Sequence, residues 1–493
     1  MDGDNTTFSV KHNECVGFES KWKVTKVSME SGSQTSEFTT AEQGCDAIEH
    51  KSQDIQTEPE VKKNEDAVDM EKLAKWLSAL YPKVKEQIEN ANSSSKIFKN
   101  YRLIDETIDT TCKLVQSVQI TKTNNEETKA VPIIASLKWN NVGNCLAVPH
   151  NYQHKTWCYH TGVVSIYSLQ RDDTLSETVK KRLTTESCVT TVSFHPLHRG
   201  VLAAGTFTGH IYLWNIENDL DPLMNNIEAH NEYITQISWI QDVDSTKNFM
   251  HLASASTDGF IKIWSFNLAD NLLQIKTVYK IKSPVLARIN KSVEVSKTVF
   301  DRGDLGILGF DFSKHIPDIF LVAMEGGLVV RCSTLGVIKI KGLVNSVSTY
   351  DPVFKYYEPH KGEIVSIQCS PHRKDMFLTS STDGEIRIYL LDQDDPAQVI
   401  FSKSPLNDVS FVLNEEKLLA GCGTNGILEI FHLIKGDKIA LKFDAKITKK
   451  NLTSLAINST RENLMVLGTS NGEVQLWNIP WHYIEFTYQK PVN

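Results

Sequence analysis

From residue 111 to about 486 the chain is written in short runs that alternate apolar and polar side chains, the period by which a strand buries one or both faces. Seven times a small polar turn containing glycine feeds such a run. The copies are HTG-VVSIYSL at Gly162, FTG-HIYLWNI at Gly209, TDG-FIKIWSF at Gly259, EGG-LVVRCST at Gly327, TDG-EIRIYLL at Gly384, TNG-ILEIFHL at Gly426 and SNG-EVQLWNI at Gly472. The steps between these glycines are 47, 50, 68, 57, 42 and 46 residues. Two further apolar runs precede each turn, as VTTVSF (189–194) and VLAAGT (201–206) precede Gly209. Three such strands plus a variable fourth, repeated about every 45 residues, predict an all-β, seven-bladed β-propeller.

Upstream the pattern changes twice. Residues 1–66 are polar, with scattered apolar residues and no helical period, which predicts a disordered leader. Met70, Leu73, Leu77, Leu80 and Val84 then fall at steps of 3, 4, 3 and 4. That stripe predicts an amphipathic helix over 69–90, widened by Trp76 and Tyr81, which either packs against the propeller or docks a separate partner. Pro82 is expected to kink it or to stop and restart it. A further short helix is expected over 100–112. The organisation read this way is a leader at 1–68, a helical docking segment and linker at 69–110, and the propeller at 111–493.

A closed ring removes exposed sheet edges, so one strand must return from the other end of the chain. TCKLVQSVQI (111–120) is the best candidate and WHYIEF (481–486) its competitor. The long steps around Gly327 place insertions mainly at 267–304 and 333–358, where partner-specific surface is expected.

Charge sharpens the division. The first 70 residues carry 7 Lys/Arg against 15 Asp/Glu, and the rest of the 493-residue chain carries 45 of each. The neutral remainder offers no basic face for phosphates, so no nucleic-acid partner is expected. MDGDNTTFSVK lacks the apolar core of a signal peptide. Apolar runs such as Ile319–Met324 fall far short of the roughly 20 residues that span a bilayer. A soluble, intracellular protein without membrane insertion is expected. The nine cysteines occur singly, with no C-x-x-C, as reduced thiols do.

Catalytic chemistry finds no start. G-x-x-x-x-G-K-[ST] and H-E-x-x-H are absent from the sequence, and the one G-x-S-x-G match, Gly468 to Gly472, runs into the seventh repeat turn, so neither an enzyme nor a cofactor is expected. The segment from His150 through His154 and Cys158 to His160 holds three histidines and a cysteine in eleven residues. Its spacing matches no structural zinc pattern. It reads as a solvated loop between two strands of the first blade, and no metal is expected.

Two copies look like WD repeats. His230 precedes YITQISW and is followed by Ser254, Asp258 and Trp264; His360 precedes EIVSIQC and is followed by Thr379, Asp383 and Tyr389. In WD repeats these positions form a buried hydrogen-bonded chain tying strand to turn. Tyr389 stands where the family has tryptophan, which predicts a weaker second network. A catalytic reading of Ser254, His230 and Asp258 is set aside, because buried polar groups need partners whether or not a substrate exists.

The leader contains Gln34-Thr35 followed by Glu37, and Ile55-Gln56-Thr57 followed by Glu58. Such anchors resemble peptides that the eight-kilodalton dynein light chain adds as a strand to its own sheet edge. With the stripe at 69–90 and the WD ring, the layout resembles the dynein intermediate chain family, within it the shorter chain of the dynein-2 motor. SQT (33–35), IQTEP (55–59), EGG-LVVRCS (325–333) and CSPHRKDMFLTSSTDG (369–384) are the more specific points. The resemblance implies light-chain binding by Gln34, Thr35, Ile55, Gln56 and Thr57. It implies docking of a roadblock-type light chain by Leu73, Trp76, Leu77 and Leu80. It also implies a propeller that grips the dynein-2 heavy chain and pairs with a second, different intermediate chain, in the cytoplasm and cilium. A scaffold or substrate receptor of another complex, such as a ubiquitin ligase, is the competing expectation.

Overall fold

The computed structural model describes residues 70–99, 109–120, 131–154, 157–241, 250–282, 305–344, 347–444 and 450–489. The chain divides into two units, 1–104 and 105–493. The leader expectation, with Gln34, Thr35, Ile55, Gln56 and Thr57, and most of the short helix expected over 100–112 lie outside the described residues. Thr111 and Cys112, at the end of that span, are strand.

In the first unit one helix, α1, runs Met70–Lys99. It is longer than the 69–90 expected and passes through Pro82 without stopping. Proline there removes one amide from the ladder, but its fixed φ is helical, so neighbouring turns carry the helix across the gap. Leu73 is half-buried, whereas Trp76 is 58 % exposed, and Leu77, Leu80, Tyr81, Val84 and Ile88 are exposed with it.

The second unit is the propeller. Among the described residues the strands form seven sheets, mostly of four antiparallel strands in chain order. Blades 1 to 6 occupy 138–185, 189–228, 234–280, 307–356, 364–401 and 406–439. Blade 7 takes Leu452–Ile457, Leu464–Thr469 and Glu473–Asn478, and its fourth strand is Thr111–Gln119 from the other end of the ring. The 111–120 run therefore closes the propeller. The competitor instead forms a second helix, α2, Trp481–Gln489. Its buried residues Trp481 and Ile484 and its half-buried Tyr488 sit three and four apart, a helical spacing concealed in a short apolar run.

Blade 3 is enlarged. The insertion after Ser333 contributes a hairpin, Ile338–Val344 with Val347–Asp351, which pairs in parallel with the outer strand Leu272–Lys280. The chain then returns to blade 4 as Val353–Tyr356.

Blade-to-blade order is set by polar residues on the innermost strands. The amide of Phe310 donates to Gln236 Oε1 at 3.0 Å, that of Cys369 to Asp311 Oδ2 at 2.8 Å, that of Phe411 to Gln368 Oε1 at 3.0 Å and that of Leu455 to Asp408 Oδ2 at 3.1 Å. Each bond spans neighbouring blades, from 3 to 4 through 6 to 7. Thr453 carries the series on to blade 1 by donating to the Ile134 carbonyl beside it. These strands line a central channel of about 470 Å³. Asp311 and Asp408 lie deep in the molecule but border the channel. Burial pushes both carboxyls up to about 6, against the backbone amides that favour the charged form.

Six of the seven marker glycines adopt φ between 71° and 84°, a conformation that favours glycine. Gly162 does not: it opens the strand Gly162–Ser168, where a side chain would strike the Ser187 carbonyl.

Candidate functional site

The positions marked in blades 3 and 5 come together as two buried hydrogen-bonded clusters. Each histidine is held first by its backbone. The His230 amide donates to the Gly209 carbonyl of blade 2 and the His360 amide to the Gly327 carbonyl of blade 4, both at 2.9 Å. A Cβ on Gly209 would lie 2.1 Å from the His230 carbonyl, so the turn admits only glycine at this approach. Glycine turn and histidine are thus one joint between consecutive blades.

In blade 3, His230 Nδ1 lies 3.0 Å from Asp258 Oδ2 and Nε2 lies 2.9 Å from Ser254 Oγ. Trp264 Nε1 donates to the same Ser254 oxygen at 2.9 Å. The indole is donor-only, so Ser254 accepts from it; the Asp258 carboxylate is acceptor-only, so in the neutral ring Nε2 is the nitrogen that takes the Ser254 proton. Nδ1–H is then left to donate to Asp258, and one tautomer satisfies every member. Asp258 Oδ1 also accepts from the Phe260 amide at 3.1 Å, which fixes the turn. Burial pushes His230 below its ordinary range despite Asp258. Burial pulls Asp258 upward, but the bonds from His230 and Phe260 outweigh it and leave the carboxyl low.

Ser–His–Asp is also the layout of a hydrolase triad. Here Ser254 is 0 % exposed, its proton is committed to His230 and its oxygen to Trp264. No face of the hydroxyl is open to a substrate, so the arrangement does structural work.

In blade 5, His360 Nε2 lies 2.7 Å from Thr379 Oγ1 and Nδ1 lies 3.3 Å from Asp383 Oδ2. Burial, with Arg387 nearby, brings this imidazole down to about 4. Tyr389 is not a member of the cluster, contrary to the sequence expectation. Its hydroxyl donates to the Glu358 carbonyl at 2.8 Å, and its ring stacks on Phe377 with centroids 5.0 Å apart. A phenol carries its polar group at the ring's far end, which takes it past Thr379 to the segment before His360.

The segment from His150 to His160 also departs from expectation. His150 belongs to the strand Cys145–His150 and bonds Ser165 Oγ at 2.9 Å. Tyr152 and Cys158 are buried while Trp157 and Tyr159 are exposed, so the loop is solvated on one side only and anchored on the other. Cys188, which sequence spacing did not connect to it, packs against it from the start of blade 2. Only the adjacency of two blades could have joined residues 158 and 188.

Taken together, the ring of four-stranded blades and the turn-locking histidines define a WD-repeat propeller. The family model described as "WD domain, G-beta repeat" matches residues 222–265, the stretch that carries the blade 3 cluster. Among curated proteins, the chain is 25 % identical over 366 residues to cytoplasmic dynein 2 intermediate chain 2 of Homo sapiens, covering 73 % of this chain and 67 % of that one. The Mus musculus counterpart is 24 % identical, with 71 % and 66 % covered. Dynein axonemal intermediate chain 4 of Xenopus laevis is 26 % identical over 218 residues, 42 % of this chain and 27 % of the relative. The chain resembles the dynein intermediate chain family, and it spans about two thirds of the length of the two dynein 2 relatives.

Proposed function

We propose that this chain is a non-catalytic intermediate chain of a dynein motor, of the dynein-2 kind that carries cargo back along cilia by intraflagellar transport. The observation that carries this reading is the similarity to cytoplasmic dynein 2 intermediate chain 2 across 73 % of the chain. In it, the propeller (111–493) holds the heavy chain and pairs with a second, different intermediate chain. The leader (1–68) presents Gln34-Thr35 and Ile55-Gln56-Thr57 as strands to eight-kilodalton light chains. The docking segment (69–110) presents Leu73, Trp76, Leu77 and Leu80 to a roadblock-type light chain. The exposed apolar stripe of α1 supports that last contact, since a helix with Trp76 and Leu77 in water gains by covering them. Weak contacts strung on one chain add through raised effective concentration. The work is done in the cytoplasm and on the cytoskeleton, at the basal body and axoneme of cilia, with no cofactor and no nucleic acid.

Purification of the tagged full chain, with its partners identified, tests the reading. Recovery of a dynein heavy chain with light chains is the expected result; ligase adaptors without a heavy chain would replace it with the substrate-receptor alternative. Within the complex, Trp76→Asp with Leu77→Asp is expected to release the roadblock-type chain and keep the heavy chain. A peptide of residues 48–62 is expected to bind the eight-kilodalton light chain and to lose binding with Gln56→Ala and Thr57→Ala; unchanged affinity in that pair would remove the light-chain role from this motif.

A further inference from the structure

Two neighbouring blades meet around four donor side chains that neither the WD clusters nor the dynein relation uses. His154, Cys158 and His160 come from the loop between the second and third strands of blade 1. Cys188 comes from the residue before the strand Val189–Phe194 of blade 2. One ligand atom of each lies within 4.8 Å of all the others.

The cluster carries unspent valence. His154 Nε2 and His160 Nδ1 are both buried and have no hydrogen-bond partner. A buried polar atom left unpaired costs about 1–3 kcal/mol. Both cysteines are buried as free thiols, and the Cys188 amide points at Cys158 Sγ from 3.4 Å. Aromatic rings close the surroundings: Tyr152 stacks on His160 at 4.7 Å between centroids, and Phe207 stacks on His154 at 4.3 Å. The Phe207 amide in turn donates to the Cys188 carbonyl at 2.9 Å, fixing the blade 2 side.

Two imidazoles and two thiols gathered within reach of one another make a complete donor set for a four-coordinate dication. Two thiolates balance its charge, two neutral nitrogens complete the tetrahedron, and no position remains for water. Sulfur donors with imidazole select zinc over magnesium or calcium. Bond lengths of about 2.0–2.3 Å would draw the donors together by roughly an ångström. Binding releases the two thiol protons to solvent and changes no oxidation state. We propose that His154, Cys158, His160 and Cys188 form a structural zinc site that staples blade 1 to blade 2.

The test uses the full chain purified without added metal. Elemental analysis is expected to find about one zinc per chain, lost on treatment with a strong chelator together with a lower melting temperature. Cobalt(II) added to the stripped protein is expected to give thiolate-to-cobalt charge-transfer bands and the intense visible bands of a tetrahedral site. Cys188→Ser and His154→Asn should each lower zinc content at least tenfold, while Cys369→Ser retains it. Should either variant fail to fold, the cobalt spectrum of the unmutated chain decides alone. A weak octahedral cobalt spectrum overturns the proposal. So does a native mass two hydrogens light with a Cys158–Cys188 disulfide, or zinc content indifferent to Cys188→Ser.

Discussion

Blades 3 and 5 carry nearly the same turn, TDGFIKIW and TDGEIRIY, yet they finish their buried networks differently. In blade 3 the chain has four members and ends in the Trp264 N–H on Ser254. In blade 5 it stops at Thr379, and the Tyr389 hydroxyl serves the Glu358 carbonyl instead. A donor-only indole must find its acceptor within reach, whereas a phenol reaches further and ties down a different segment. The departure from tryptophan redistributes the bonding of the blade rather than deleting it.

The shared half of the comparison should show the largest effect. His230→Ala and His360→Ala each leave a buried hydroxyl and a carboxylate short of a partner, and each is expected to cost about 3 kcal/mol in chemical denaturation. Costs that differ by more than about 1 kcal/mol would break the equivalence of the two joints. The divergent half is sharpened by coupling. Ser254→Ala and Trp264→Phe should be non-additive by about 1 kcal/mol in a double-mutant cycle, while Thr379→Ala and Tyr389→Phe should add. Coupling in blade 5 would place Tyr389 back in the network.

The smallest effect is in pH. Both histidines are depressed in the fold, His360 to about 4, so their contribution is present above pH 6.5 and lost as pH falls toward 4. The channel carboxyls Asp311 and Asp408 act in the opposite sense. Raised to about 6, they favour the fold at low pH and lose that contribution as pH rises through 4 to 6. Channel water limits each to about 1 kcal/mol. The melting temperature of Asp311→Asn with Asp408→Asn is therefore expected to fall more steeply from pH 6.5 to 4 than that of the unmutated chain. His360→Gln should make the fall shallower. Calorimetry across that range checks both.

Much of the ring was legible because its signals are local. A glycine at positive φ, a strand of period two and a histidine 23 to 28 residues before its Asp all lie within one or two blades. What escaped needed long-range knowledge. Residues 481–486 alternate well enough to pass for a strand, and only the placement of Trp481, Ile484 and Tyr488 against blades 6 and 7 makes them helix. Gly162 repeats the turn motif in letters, but its blade reaches that point through a long loop, 151–161, rather than a three-residue turn such as 207–209. Cys188 lies 28 residues from His160, and no spacing rule joins them until blades 1 and 2 are side by side. The Gln-Thr pairs of the leader rest on resemblance, because they gain meaning only from a partner's sheet.

The strand Thr111–Gln119 also sets a schedule for synthesis. It leaves the ribosome first among the strands of the ring, yet its antiparallel mate, Glu473–Asn478, is made last. For the time needed to translate more than 350 residues it waits with that edge unpaired. A ribosome that stalls anywhere in that interval releases a chain whose earlier blades can fold and whose ring cannot shut. Until Glu473–Asn478 arrives, that open edge is where a newly made chain is exposed to mispairing.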